Sequence, residues 1–464
     1  MKILIKNGSI ITAENEFTAD ILIEDEVIVA IGNDLDVDAD KVYDATGKYV
    51  FPGGIDQHTH FDALCNSGDK DTAPYSTSKC VCVGGTTTII DYAPQDPGCG
   101  LIESIDTRIN KRAKGQVCVD FALHSLITEV NENMFDEIKQ LPEHGVASIK
   151  AFMAYKGSPL HVDDGTLYKV MCESKKVGVT TFVHAENAEI IDMLQQDCIR
   201  AGHIEPKYHA VSRPPYVETE AAKRAIYLAE VADAPTFIVH ISTKATADAV
   251  GEARAKKQKI YGETCTQYLT LTKDKLDDPD YDVSAKYICS PALRDKADNE
   301  SMWEALKDGT LSAIVSDHCG IDLVMKQAGR NNFADCPNGS PGAGERIPMI
   351  WTYGVAAGKI SKQKFVEVCS TLPAKINGIY PRKGAIAVGS DADIVIYDPE
   401  YRGVISNETN PNGIDYNTYE GMEVIGRPEY VFIRGNLVAE KGEFVGKLGQ
   451  GEFIPSEAYA YCFQ

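Results

Sequence analysis

One pattern dominates the long middle of this chain and restricts its fold more than any other feature: short apolar runs rich in β-branched and aromatic residues, separated by helical stretches. Eight such runs are candidate strands: YVFPGGIDQH, TTTIIDY, VCVDFALH, ASIKAFMAY, TTFVHAE, TFIVHIS, KIYGETC and SAIVSDH. Segments such as ETEAAKRAIYLAEVA and EALKDG lie between them and carry the helical period. Eight strands alternating with helices predict an α/β protein built on a (β/α)8 TIM-like barrel, ahead of an open doubly wound sheet. Neither a GxGxxG fingerprint nor a P-loop signature is present to support a nucleotide-binding sheet.

The two ends of the chain read differently. KILIKNGSII, ADILIEDEVIVAIG and KVYDATGKYV open it with short alternating strands, and GAIAVGSDADIVIYDP with EYVFIRGNLVAEKGEFVG repeats that style near the other end. The expectation is a small β-sandwich formed from both termini: residues 1–50 and 376–448 around a barrel of residues 51–375, followed by a tail of residues 449–464. That aromatic tail, GEFIPSEAYAYCFQ, is expected to dock on a neighbouring chain. At 464 residues with 44% hydrophobic content, the chain can bury a core of this size.

Composition removes several classes of partner. With 46 Lys+Arg against 68 Asp+Glu the formal charge is −22, which disfavours nucleic acid and anionic membrane. Thirteen cysteines without zinc-knuckle spacing fit reduced thiols in a cytoplasm. The opening MKILIKNGSIITAENEF lacks the apolar stretch of a signal peptide, and no run approaches the ~18 apolar residues of a membrane span. A soluble cytoplasmic protein acting on a small molecule is the expectation.

The chemistry lies at the strand ends. His58 and His60 close the first candidate strand, Lys150 lies in the fourth, His184 ends the fifth, His240 the sixth and Asp317 the eighth. In a (β/α)8 barrel those ends converge on the face where active sites are built. Residues two apart on a strand share a face, so both imidazoles of the HTH triplet can address one ion. A single histidine after an apolar run has an ordinary packing role. Four of the ten histidines, with an aspartate and a lysine, at such positions point to metal binding. An ammonium at Lys150 could not ligate a cation, but carbamylation by carbon dioxide makes it a carboxylate analogue able to bridge two ions about 3.5 to 4 Å apart.

The stretches GGIDQHTH, GGTTTIID, SIKAFMAYKG, VHAEN, IVHIST, ETCTQYL, CSPALR, SDHC, PNGSPG, GSDADIVIYDP and DYNTYEGMEV identify a resemblance over nearly the whole chain. It resembles the D-hydantoinase and dihydropyrimidinase family of the amidohydrolase superfamily. The resemblance implies that His58, His60 and Asp317 hold one divalent ion and His184 and His240 the other, with carboxylated Lys150 bridging them; zinc is the expected metal. It further implies that Tyr155 stabilises the oxyanion, and that Ser290 and Asn338 hold the ring amide through main-chain groups. The implied reaction is hydrolysis of a hydantoin, dihydropyrimidine or related cyclic ureide to an N-carbamoyl amino acid. A metal-bridging hydroxide would attack the ring carbonyl while Asp317 shuttles the proton. A homotetramer is the implied assembly.

The chain departs from the family pattern in places. Ala63, Leu64, Cys65 and Asn66 follow HTHFD where relatives carry a Met-Pro-Phe-like stretch, Thr266 replaces a proline, Gly320 follows DHC, and PGAGER replaces a PGVExR-like sequence. These changes spare the proposed ligands and bear on the substrate, with specificity expected in the loop from Asp62 to Tyr75. An allantoinase or dihydroorotase would share the metal site with a different ring. A dihydroorotase, however, should present a cation to its substrate carboxylate, and no Arg or Lys immediately follows HTHF. A non-catalytic scaffold of the same fold would lack the ligands that this chain retains.

Overall fold

In the computed structural model, described for residues 1–62, 74–409 and 413–458, the middle of the chain forms one parallel sheet in strict chain order. Its strands are Gly54–His60, Thr86–Pro94, Asp120–Leu126, Ser148–Phe152, Thr180–His184, Thr236–Ile238, Ile260–Cys265 and Ala313–Val315, the last resuming at His318–Cys319. His318 pairs with Thr59 and Cys319 with His60, so the eighth strand meets the first and the sheet closes on itself. Strands such as DFALHSL and SIKAF are buried at every residue, because one face fills the barrel interior and the other lies under helices. The fold is therefore a TIM-like barrel.

Local sequence explains how strands hand over to helices at the end that bears the histidines. Asn187 and Thr243 each stand three residues beyond a strand-end histidine, and each caps the next helix. The Asn187 side chain accepts from Ile190 N and the Thr243 side chain from Thr246 N. VHAEN and IVHIST are thus strand-end and helix-start packed into five or six residues.

The first candidate strand, YVFPGGIDQH, is corrected by the structure into two strands in two different sheets. Tyr49–Pro52 pairs with Ile394–Val404 and with Lys2–Ile11, whereas Gly54–His60 enters the barrel. The hinge is Gly53, whose amide donates to Asp393 O (2.9 Å) and where a Cβ would collide with the Thr87 side chain. Only glycine allows so close a crossing of two sheets.

The remaining strands come from both ends of the chain and form one mixed sheet. Its path runs Glu443–Phe444, Asn436–Glu440, Glu423–Ile433, Ile394–Val404, Tyr49–Pro52, Lys2–Ile11, Glu16–Glu24 and Val27–Gly32, with Lys41–Asp44 added beside Lys2–Ile11. Tyr43 meets the rings of Tyr430 and Phe432 edge-on at 5.1 and 5.0 Å, so the sheet folds over on itself as a sandwich. Its core is aliphatic, built from Ile3, Ile5, Ile21, Ile23, Ile394 and Ile396.

The start of the tail lies on its own barrel. Ile454 N donates to Phe121 O (2.7 Å), Phe121 N to Glu452 O (2.9 Å), and the Phe121 and Phe453 rings lie 5.5 Å apart. Residues 459–464 lie outside the described residues. Below the barrel, buried Lys383 bridges Asp120 (2.5 Å), Asp391 (3.0 Å) and Asp393 (2.9 Å), joining the third strand to the terminal sheet. Among the described residues no helix is long and apolar enough to cross a membrane.

Candidate active site

Five ligand candidates and one lysine meet at the carboxyl end of the barrel. His58 Nε2 and His60 Nε2 lie 3.2 and 3.3 Å from Asp317 Oδ1, and one ligand atom from each of the three falls within 4.8 Å of the others. His184 and His240 pack ring to ring at 4.3 Å and nearly perpendicular, with His240 also 5.3 Å from His58. Lys150 Nζ lies 3.3 Å from His58 Nε2.

Backbone geometry marks the same place. His240 (φ 39°), Asp317 (φ 52°) and Tyr155 (φ 63°) all adopt left-handed conformations that non-glycine residues avoid. Strain of about 1–3 kcal/mol per residue persists only where the surroundings over-determine it, as at active sites. Asp317 N donates to His58 O (3.0 Å), which fixes the aspartate against the HTH strand.

A further layer of residues orients the imidazoles. His58 Nδ1 meets Glu263 Oε1 at 2.5 Å, Gln57 Nε2 donates to Glu263 Oε2 (2.7 Å), and Asn377 Nδ2 donates to Gln57 Oε1 (2.8 Å). His184 Nε2 meets Glu186 Oε2 (2.8 Å), which also accepts from Arg213 Nη1 (2.8 Å). Occupying one ring nitrogen fixes which nitrogen is left to face an ion. Burial alone would raise the Glu186 carboxyl, but Arg213 and His184 outweigh it and hold it well below the usual range. Burial, followed by neighbouring positive charge, keeps His58 and His240 well below the ordinary imidazole value. They are therefore neutral, as metal ligation requires.

Lys150 is wholly buried and, among the described residues, has no ion pair. Burial pushes its amine down to about 8, against the opposing charges of Asp317 and Glu263. Its Nζ lies 4.5 Å from the Tyr92 ring centre and 5.0 Å from that of Phe152. His240 Nδ1 is likewise buried with no hydrogen-bond partner. Converging neutral imidazoles, a carboxylate, an orphaned ring nitrogen and a buried amine without an ion pair form a donor set that fits divalent cations.

The residues expected to touch substrate lie beside this cluster. Tyr155 packs against His184 at 5.5 Å with the Arg213 guanidinium 5.7 Å from its ring, and burial pushes its phenol up to about 12. Ser290 is buried close to Tyr155, with its side chain toward the phenol. Asn338 is half-buried in a segment that joins the end of the eighth strand, where Cys319 N donates to Ser340 O (3.1 Å). Ala63, Leu64, Cys65 and Asn66, and most of the proposed specificity loop, lie outside the described residues.

Glu263, Glu186, Arg213 and Gln57 were not singled out from the sequence. Glu186 had a signal, two residues past His184 and so on its side of the strand end. Glu263 lies 205 residues from the histidine it holds, and only the closed barrel brings them together.

The amidohydrolase family model matches residues 49–438. The chain is 43% identical to the D-hydantoinase of Geobacillus stearothermophilus over 98% of its own length and 97% of that protein. It is 42% identical to the D-hydantoinase of Ralstonia pickettii over 99% and 100%. The crystal structure of dihydropyrimidinase from Brevibacillus agri NCHU1002 superposes with a TM-score of 0.96 at 40% identity, covering 99% of this chain and 100% of that one. The chain thus belongs to the amidohydrolase family, generally binuclear metal enzymes, and within it to the D-hydantoinase and dihydropyrimidinase branch. It is a cyclic amidohydrolase.

Proposed function

We propose that this enzyme opens the ring amide of hydantoins, dihydropyrimidines or related cyclic ureides to give N-carbamoyl amino acids. The observation that carries the reading is the convergence of His58, His60 and Asp317 beside His184, His240 and a buried Lys150 against His58, in a chain similar to named hydantoinases over nearly its full length. In this reading His58, His60 and Asp317 hold one ion, His184 and His240 the other, and Lys150 bridges them as a carbamate; zinc is the proposed metal. When bound, such a pair supplies Lewis acidity toward the ring carbonyl and acidifies water. Asp317, fixed against the HTH strand, accepts the proton of the attacking water and returns it to the leaving ring nitrogen. The Tyr155 hydroxyl donates to the oxygen that gains charge as the carbonyl becomes tetrahedral. Main-chain groups at Ser290 and Asn338 hold the ring in register.

The test is a panel of hydantoins, dihydropyrimidines, allantoin and dihydroorotate offered to metal-analysed protein. Ring opening of the first two classes to N-carbamoyl products is expected. Faster turnover of allantoin or dihydroorotate would replace the substrate, and no turnover by protein holding two ions would overturn the reading.

We also propose that the enzyme works in the cytoplasm as a homotetramer. No disulfide joins the cysteines among the described residues, which supports a reducing compartment. Helix Pro215–Ala232 exposes Tyr216, Tyr227 and Val231 along one stripe, an apolar face of the kind that self-association covers.

A further inference from the structure

Lys326 ends a short helix, Leu323–Lys326, nine residues beyond Asp317, and it is completely buried. Its Nζ donates to three main-chain carbonyls: Ile288 O (2.8 Å), Pro337 O (3.0 Å) and Gly339 O (2.7 Å). An ammonium has three N–H groups, so these three acceptors match its capacity. The carbonyls belong to the two segments that carry Ser290 and Asn338. Gly339 N to Ile288 O (3.1 Å) and Ser340 Oγ to Lys286 O (2.7 Å) tie the segments further.

The consequence follows from peptide geometry. The Pro337–Asn338 peptide is trans, so its C=O and N–H point in opposite directions. With the Pro337 oxygen drawn onto Lys326, the Asn338 N–H is turned away from the lysine, and among the described residues it has no hydrogen-bond acceptor. A cation at the carbonyl end of a peptide polarises it and strengthens its N–H as a donor. The segment lies beside the strand end bearing Asp317, through Cys319 N to Ser340 O.

We propose that Lys326 is a positioning residue for substrate: its grip on Ile288, Pro337 and Gly339 holds the Ser290 and Asn338 segments together and presents the Asn338 N–H to a ring carbonyl oxygen. The inference rests on the reading that the ring binds at Ser290 and Asn338. Lys326 itself touches neither substrate nor metal.

The experiment compares wild type with Lys326→Met and Lys326→Arg as full-length, metal-loaded protein, using hydantoin and its thiocarbonyl analogue, whose sulfur is the poorer acceptor. For Lys326→Met, KM for hydantoin should rise about ten- to fifty-fold while kcat changes less than about threefold, and the oxo-over-thio preference should shrink. Metal content should equal that of wild type. Lys326→Arg keeps the charge, but a planar fork cannot place one N–H on each of the three carbonyls, so KM should rise with the fold intact. If Lys326→Met fails to fold, the comparison is read from Lys326→Arg. A folded variant with wild-type KM and wild-type oxo-over-thio preference overturns the inference. Failure of the wild-type enzyme to open either ring would instead overturn the reading of the substrate.

Discussion

Two lysines of this enzyme are buried at opposite ends of the same barrel, and they differ in what surrounds them. Lys383, below the barrel, is met by Asp120, Asp391 and Asp393 within 3.0 Å, and these charges raise its pKa despite burial. Lys150, at the mouth, faces His58 and two aromatic rings, has no ion pair among the described residues, and burial pushes it down to about 8. A buried charge with its counter-charges in place holds a fold together. A buried amine with neither counter-charges nor a set of carbonyls like that around Lys326 marks a candidate functional site. Burial alone does not tell the two apart; the neighbours do.

The largest effect should follow from removing the lysine at the mouth. Lys150→Ala is expected to lower kcat/KM by about 10⁴-fold or more and to lose bound metal, measured by elemental analysis beside a hydantoin assay. Normal metal content and activity in that variant would erase the distinction between the two lysines. Removing the lysine below should do the opposite. Lys383→Met takes a shared cation from three buried carboxylates, of which Asp120 keeps Arg434 and Asp391 keeps Arg382, and should destabilise the protein by about 3 kcal/mol in denaturant unfolding, with kcat and metal per folded chain unchanged. Its raised pKa carries a sign: stability from Lys383 is complete below the unfolded value of about 10.4 and is lost as pH rises through the folded value. Wild-type stability should therefore fall more steeply than that of Lys383→Met above about pH 10.4.

The barrel and the positions of the ligand candidates could be read from the sequence because both rest on local pattern. Alternating apolar runs reveal strands, and a histidine at the end of a run is visible without knowing what it will meet. What escaped was set by contacts between distant segments. Gln57 sits one residue before His58, yet its role appears only when Glu263 and Asn377 arrive from the seventh strand and from beyond the barrel. The division of Tyr49–His60 into two strands also escaped, because its apolar residues run continuously across Gly53 and only the Thr87 side chain beneath reveals the crossing.

Smaller effects sharpen the picture of the mouth. Tyr155→Phe should lower kcat about 10² to 10³-fold, worth roughly 2.7 to 4 kcal/mol, while metal content stays constant. A loss below about threefold would make Tyr155 a packing residue. Least of all for the single chain, Tyr227→Glu on the exposed stripe should change monomer stability by less than about 0.5 kcal/mol yet reduce the mass measured by light scattering. An unchanged mass would move the self-association surface elsewhere.

The sandwich sets a timetable for the ribosome. Tyr49–Pro52 is the central strand of that sheet and takes Ile394–Val404 as a neighbour, a partner synthesised some 340 residues later. At about 5 to 20 residues per second the early strands wait roughly 20 to 70 s for it, their isoleucine-rich face uncovered while the barrel is still being made. Closing so long a loop makes the last step of folding slow and leaves a sticky edge in the meantime. Yield from rapid, warm expression should therefore be governed by that interval, and slower synthesis or a holding chaperone should recover protein that the active site, complete in itself, would give no reason to lose.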